Sequence, residues 1–470
     1  MESREIFIAV FISGACAMMV EIGGGRIIAP YLGTTIYTWA AVIGLVLAAL
    51  SAGYYLGGVL AERYNDRKHL GNVFFLAAFC TVLIPIIAYI IVPLTTLLPL
   101  AWASIMSAMI LVPASVFFGM VSPYAIKLVS RNRELGKTSG QVFALSTVGS
   151  IVGTLGTGFI LIPNMSINLI FVGAGVVMLC TGWLVARKIE RLDSFMFLVF
   201  ASFASAVTFS PLVYGTTIFH SNSEYYDISV VDNVSIENVT GRVLLLDSAY
   251  SSGERSDGSS LFEYETEVKK IYLLLDNPKR ALVIGVGAGT QIEDLKKEFS
   301  NVVVDEVEID AKIPEIGSKY FHLRFDNRTN IIIDDGRRYV KTTGRKYDIV
   351  VLDVFRGRSV PAHLTSVEFV RELKNVTNPG ALIIMNLISA VEGDKSRFLQ
   401  LVYNTYSSEF SNVYIVPLGD KPEQSQNVIM VATDANLSSH LAGNPKVIGF
   451  KPTTSQIVTD DLNPVEVLVQ

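Results

Sequence analysis

The chain has 470 residues, a formal net charge of −5, and 17% charged against 50% hydrophobic residues, too apolar a balance for one water-soluble domain of that length. Residues 1 to 215 hold 12 Lys/Arg and 8 Asp/Glu, a net of +4, while residues 216 to 470 hold 26 and 35, a net of −9. Lipid for the first part and water for the second follow, and an acidic soluble part without a basic stripe excludes nucleic acid as a partner.

A helix needs about 20 apolar residues to cross a bilayer. Such stretches lie near 6–31, 37–61, 70–95, 101–126, 138–163, 166–187 and 194–214, predicting seven spans over residues 1–215 of a multi-pass cell-membrane protein. The first lacks the small-residue cleavage site of a signal peptide. Small residues four apart, Gly53/Gly57 and Gly149/Gly153, read as close helix packing. Glu21 and Arg26 are costly inside an apolar span. They flank the glycine triplet of "EIGGGR", which can break the helix. They read either as lining for a pocket or gate or as a structural pair that needs such a break. Cys16, Cys80 and Cys180 have no metal or disulfide spacing and read as small core residues, so no metal is expected.

Basic residues cluster in "ERYNDRKH", "KLVSRNRELGK" and "ARKIERL", whereas "LLPLAW" and "IPNMS" carry none. The charge rule then puts these clusters and the N-terminus in the cytoplasm. Seven spans would leave the soluble part outside, an arrangement with which sequons at Asn233, Asn238, Asn327, Asn375 and Asn436 are compatible. One span fewer would reverse it.

Residues 216–265 form a small β-strand region, since "YYDISVVDN" and "GRVLLLDSAY" alternate polar and apolar positions. From 266 to 470 strands and helices alternate. "FEYETEVKKIYLLL" predicts a helix, "RALVIGVGAGT" a buried strand entering a glycine turn, "QIEDLKKEF" a helix and "VVVDEVEID" a strand ending in acids. "NIIIDDGRRYV", "YDIVVLDVF", "PGALIIMNLIS" and "NVYIVPL" continue the series. That alternation predicts an open, mostly parallel, Rossmann-like sheet with helices on both faces, binding ligand beyond the carboxyl ends of its strands.

The chemistry-bearing residues fall at those ends. Gly285, Gly287 and Gly289 let backbone approach a ligand. Glu308, 23 residues after Gly285, is placed to accept from ribose hydroxyls, and Asp335 and Asp353 end two further strands. Acids that merely solvate strand ends account for each singly and fit the set poorly. The set points to an adenosine-containing ligand, and the turn GVGAGT suits a sulfonium nucleoside at least as well as a pyrophosphate.

These residues resemble the spermidine synthase (polyamine aminopropyltransferase) family, and in particular its branch with a multi-span segment ahead of the synthase domain. "SGACAMMVEIGGGRIIAPYLG" and "GYYLGGVLAER" are similar to the membrane portion. "SEYYDISVVD", "RVLLLDSAYSSG", "LFEYETEV", "VIGVGAG", "VEIDAKIPEIGSKYF", "DDGRRYV" and "YDIVVLDVF" follow the synthase domain in order. The resemblance implies the methyltransferase-like fold of spermidine synthase and displacement at a carbon next to a sulfonium. An amine attacks decarboxylated S-adenosylmethionine and 5′-methylthioadenosine leaves. It further implies that Glu308 holds ribose, that Asp335 holds the adenine amino group, that Asp353 is the base, and that Tyr264 is the tyrosine of the Tyr-His-Glu motif. No cofactor beyond the sulfonium substrate is implied. An amine acceptor and the lipid bilayer are the expected partners, with homo-oligomers frequent among relatives.

The departures from the family pattern are as informative. Ala288 stands where the family has an aspartate that helps hold the donor's amine, Glu265 replaces the motif's histidine, and Tyr226 replaces a glutamine. Arg356 replaces the second acid of the Asp-x-x-Asp pair. A like-charge contact at ~4 Å and an effective dielectric of 20 costs about 4 kcal/mol, so an inward Arg356 would exclude a diamine. Guanidinium binds carboxylate through paired hydrogen bonds, and ordinary S-adenosylmethionine keeps the carboxylate that the decarboxylated donor lacks. Three readings stay open: a spermidine-synthase-like enzyme, performing aminopropyl transfer or lyase, cyclase or aminocarboxypropyl chemistry on S-adenosylmethionine itself; a transporter or sensor whose soluble domain binds an adenosine metabolite; or a degenerate structural domain, against which the intact Asp353, Glu308 and Asp335 argue.

Overall fold

The computed structural model describes every residue except 1, 33–34, 96–97, 131–133, 187–215, 237–238, 248, 286, 355–359, 438–445 and 469–470. The chain divides into two units, Met1–Leu212 with Asn222–Glu224, and Val213–Ser221 with Tyr225–Gln470.

The first unit is helical: α1 (Glu2–Leu32), α2 (Ile36–Tyr64), α3 (Arg67–Thr95), α4 (Leu100–Ala108), α5 (Val112–Val129), α6 (Leu135–Gly156), α7 (Ile162–Asn164) and α8 (Ile167–Ala186). Taking α4 with α5, and α6 with α7, as single rods, the described residues contain six helices long and apolar enough to cross a membrane. They coincide with the first six expected spans. The seventh, 194–214, lies outside the described residues.

Helices without a water-driven reason to associate rely on close backbone approach, and here glycine provides it. A Cβ at Gly53 or Gly57 of α2 would stand 2.2 Å from the Val116 carbonyl oxygen or 2.4 Å from that of Met120 on α5. On α6, Gly149 and Gly153 come equally close to the carbonyl oxygens of Phe11 and Ala15 on α1, at 2.1 and 2.3 Å. Gly149→Ala is therefore expected to push α1 from α6 and destabilise the unit by about 1–3 kcal/mol. Thermal unfolding in detergent is the measurement, with an unchanged midpoint as the contrary result.

One expectation needs correction. The triplet Gly23-Gly24-Gly25 does not break its helix, because α1 is continuous from Glu2 to Leu32. The glycines make room for neighbours instead. A Cβ at Gly24 would lie 2.4 Å from the Leu111 side chain, and one at Gly25 would lie 3.0 Å from Trp39. Glu21 and Arg26, both half-buried, thus remain five positions apart on an unbroken helix and point to different faces.

The second unit holds two sheets. The smaller has strand order β1-β2-β3-β4, from β1 (Thr216–Asn222), β2 (Asp227–Ile236), β3 (Val239–Leu246) and β4 (Ala249–Glu254). The larger has order β10-β11-β9-β8-β5-β6-β7. Its strands are β5 (Arg280–Ile284), β6 (Val303–Glu308), β7 (Thr329–Ile333), β8 (Tyr347–Leu352), β9 (Thr377–Ser389), β10 (Asn412–Pro417) and β11 (Gln426–Thr433). Strands β5 to β9 pair in parallel, while β11 joins β9 and β10 antiparallel. The "QNVIMVAT" strand β11 was not among the expected elements.

Both faces of this sheet are covered, so its strands read as near-continuous apolar runs. Leu282, Ile284, Val350 and Leu352 pack in one core and Ala281, Val283, Ile349 and Val351 in the other. The covering helices include α9 (Glu263–Tyr272), α10 (Thr290–Glu298), α11 (Lys312–Tyr320) and α12 (Gly336–Thr342). Three buried acids, Asp305, Glu306 and Glu308, break the apolar pattern on β6. Glu306 is fully buried and neither of its carboxyl oxygens has a hydrogen-bond partner among the described residues.

Register brings the strand ends together. Ile284 stands opposite both Leu352 and Val307, and Glu308 opposite Ile333. The residues that follow, Gly285, Asp353 and Asp334–Asp335, therefore share one edge with Glu308. The chain runs from β5 outward to β7 and then returns to β8 on the other side of β5, so the topological switch point falls between β5 and β8, where such sheets bind ligand.

Candidate active site

Gly285 and Asp353 meet at that switch point. Gly285 has φ +79°, and a Cβ there would lie 2.2 Å from the Asp353 carbonyl oxygen. Only glycine takes this backbone without strain, and its bareness lets the ends of β5 and β8 touch. The turn then passes under β4. A Cβ at Gly287 would lie 2.0 Å from the Ser252 hydroxyl oxygen, and that hydroxyl accepts from the Ala288 amide at 2.9 Å. Gly289, with φ +86°, caps α10.

A cavity of about 200 Å³ opens here, with Tyr226, Tyr250, Ser252, Tyr264, Gly287 and Asp353 in its wall. Five of the residues singled out from the sequence, Tyr226, Tyr264, Gly285, Gly287 and Asp353, line this one space. Gly289, Glu308 and Asp335 stand along the same sheet edge outside its lining. Arg356 lies outside the described residues.

Asp353 is held from three directions. Tyr264 donates its hydroxyl to Oδ2 at 2.9 Å, Gln291 reaches the same oxygen from 3.4 Å, and Asn386 donates to Oδ1 at 3.1 Å. Asn386 is itself oriented by Asn427, whose amide donates to the Asn386 side-chain oxygen at 3.0 Å. Burial raises the Asp353 carboxyl above its ordinary range, and the Asn386 and Tyr264 hydrogen bonds pull it back. The result is a fixed carboxylate with enhanced proton affinity, as a general base requires.

Glu308 is buried at the end of β6 and accepts from the Asp310 amide at 3.1 Å. Asp335 caps α12 by accepting from the Arg338 amide at 3.0 Å, and its other oxygen lies 3.0 Å from His363 Nε2. The His363 contact holds the Asp335 carboxyl down to about 2. Sequence reasoning missed Asn386, Asn427, Gln291 and His363. A polar residue interrupting the apolar run "ALIIMNLIS" was the available signal for Asn386; His363 offered none, since it comes from a separate turn. Among the described residues no His/Cys/Asp/Glu group is arranged to hold a metal ion.

Fold and site together define a Rossmann-like α/β domain whose ligand cavity sits at the switch point of a parallel sheet, beside a buried acid. Residues 262–434, within the second unit, match the family model of the spermine/spermidine synthase domain. A probable polyamine aminopropyl transferase of Bifidobacterium longum is 28% identical over 218 residues, 45% of this chain and 47% of that protein. The chain thus spans about half the length of that relative. Polyamine aminopropyltransferase 2 of Aquifex aeolicus is 23% identical over 401 residues, 81% of this chain and 78% of that protein, too long an alignment for the second unit alone. A crystal structure of a probable spermidine synthase from Corynebacterium glutamicum superposes with a TM-score of 0.43 at 19% identity, covering 53% of this chain and 97% of that one.

Proposed function

We propose that the protein is a membrane-integrated enzyme of spermidine-synthase type, cleaving an S-adenosylmethionine-type sulfonium nucleoside and releasing 5′-methylthioadenosine. The observation that carries this reading is the Asp353 carboxylate, held by Tyr264, Gln291 and Asn386 in the wall of the switch-point cavity. An amine attacks the carbon next to the sulfonium, the carbon–nitrogen bond forms, and the carbon–sulfur bond breaks with its electron pair going to sulfur. The proton lost by the amine goes to Asp353. The leaving group is good, so positioning and a base are what the protein must supply. In this reading Glu308 and Asp335 take the ribose and adenine ends of the donor, and no cofactor or metal takes part.

A second reading concerns the donor. The family's amine-holding aspartate is replaced by Ala288, which is fully buried in an apolar cluster with Ile228, Val230 and Leu244. With Arg356 in place of the second acid as well, S-adenosylmethionine itself becomes the donor, and its carboxylate the group that Arg356 recognises. Its aminocarboxypropyl group would then pass to an acceptor, or its own amine or carboxylate would close a ring.

Mass spectrometry of the products from the two donors, supplied separately with and without putrescine, tests both readings. Methylthioadenosine from S-adenosylmethionine alone supports the second, and methylthioadenosine from the decarboxylated donor only with amine supports conventional transfer. Turnover in detergent without a gradient separates either from a transporter or sensor, for which neither donor would be consumed. Under the second reading Arg356→Asp weakens S-adenosylmethionine binding by about 10- to 100-fold, the loss of a charged hydrogen-bonded pair, and leaves the decarboxylated donor less affected. Equal effects on the two donors would remove the carboxylate role.

The side of the membrane turns on the apolar stretch 194–214. Six spans with a cytoplasmic N-terminus return the synthase unit to the cytoplasm, where sulfonium donors are made, and a seventh places it outside.

A further inference from the structure

Behind the base, two carboxyl groups share a single phenolic hydrogen. Tyr264 Oη lies 2.9 Å from Asp353 Oδ2 and 3.2 Å from Glu265 Oε1. A phenol has one proton to give. With both carboxyls ionised, one of these two short contacts would have no hydrogen in it, and two negative charges would stand together away from water.

The surroundings offer Glu265 no relief. Its side chain is buried, at 4% exposure, and Oε2 has no hydrogen-bond partner among the described residues. No cation among the described residues lies within ion-pair distance of it. Lys269, one turn further along α9, is engaged by Glu298 at 2.6 Å and Asp294 at 3.4 Å. The groups that act on Glu265 from the packed elements are Asp353 beyond β8, Asp294 on α10, Tyr264 on its own helix and the Ser260 hydroxyl before α9. Tyr272, further along α9, also feels its charge. Each charged group in that set is an acid. Burial first, then the Asp353 and Asp294 charges, push the Glu265 carboxyl up to about 8 against the pull of Ser260 and Tyr264.

We propose that Glu265 is a positioning residue that stands at neutral pH as an uncharged acid, donating through Oε1 to Tyr264 Oη. Tyr264 then donates its own hydrogen to Asp353 Oδ2; proton count requires one protonated carboxyl, and the Asn386 and Gln291 amides that donate to Asp353 make that one the ionised member, giving the order Glu265–Tyr264–Asp353. The base keeps its charge and orientation, with Oδ1 held by Asn386. Where the family carries histidine, this chain carries a neutral acid able to donate in the same way. The inference deepens the reading of Asp353 as base and rests on it for its role in the reaction, but the protonation state itself is observable without turnover.

The test uses the full-length protein in detergent. Infrared difference spectra of wild type minus Glu265→Gln report the carbonyl stretch of an un-ionised carboxylic acid, and the Glu306 acid, present in both, cancels. The band is expected at pH 7 and bleaches with a midpoint near 8, so that one pH unit higher about a tenth of the molecules retain the proton. No acid band at pH 7, or a midpoint near the ordinary 4.5, overturns the proposal whatever the enzyme's substrate. The shape of the pH–rate profile of donor cleavage is the second readout. Wild type loses rate as pH rises through 8 and Glu265→Gln lacks that limb; a limb retained in the variant overturns the proposal. Glu265→His, restoring the family residue, serves both measurements where the glutamine variant does not fold.

Discussion

Asp353→Asn is expected to slow methylthioadenosine release by about 10²- to 10⁴-fold, the usual contribution of a positioned general base, while the donor still binds. Asparagine keeps the shape of the side chain and can still accept from Tyr264, but its amide then faces the Asn386 amide that donates to Asp353 Oδ1, so one contact is lost along with the proton acceptor. The loss should fall on kcat, with KM for the donor little changed, because an interaction made in the transition state is removed. Product formation followed by mass spectrometry under saturating donor is the measurement. The result also discriminates between nucleophiles. A donor carboxylate that closes a ring has no proton to lose, so a decrease of less than about tenfold would place Asp353 outside the chemistry and favour ring closure.

Glu306→Leu is expected to stabilise the synthase unit at pH 7 by on the order of 2–3 kcal/mol. Burial, with the nearby Glu308 charge adding to it, raises the Glu306 carboxyl to about 8 from an ordinary 4.5. Lys296, whose charge works against that rise, is already engaged by Glu293 at 2.8 Å and Asp326 at 3.2 Å. The folded protein therefore holds a proton that the unfolded chain releases between pH 4.5 and 8. In that window the folded state binds more protons, so stability falls as pH rises, and it levels off above 8. Leucine removes Glu306's share of that slope, leaving the share of Glu265, which is raised over the same window, and it removes the cost of an unpartnered buried polar group. Denaturation of wild type and variant at pH 5, 7 and 8.5 is the check. A flat wild-type profile, or a destabilised variant, would mean that the carboxyl is satisfied in solution.

The sheet was legible because its strands are short apolar runs ending in glycine or acid, and a buried parallel sheet leaves that mark on sequence. "RALVI" and "YDIVVL" were found for this reason, and "VVVDEVEID" as a strand ending in acids. β11 escaped because "QNVIMVAT" follows polar residues without a helix between, and an antiparallel return has no alternation to announce it. The sheet-edge residues Asp353, Glu308 and Asp335 were visible as strand termini. Their partners were less so: Asn386 lies within a strand, Gln291 within a helix, and His363 reaches Asp335 from 28 positions away. The glycine triplet misled because glycine weakens an isolated helix, whereas Leu111, Phe171 and Trp39 pack against it here and tertiary contact prevails.

The Ser252 hydroxyl fills the volume a Gly287 side chain would need and at the same time receives the Ala288 amide. Positions 252 and 287 therefore cannot drift independently. A methyl at 287 collides with the Ser252 hydroxyl, and a smaller residue at 252 relieves that collision only by leaving a buried amide bare. For anyone reshaping this cavity, the floor is a locked pair. Room for a larger ligand has to be made elsewhere in the lining, at Tyr226 or Tyr250.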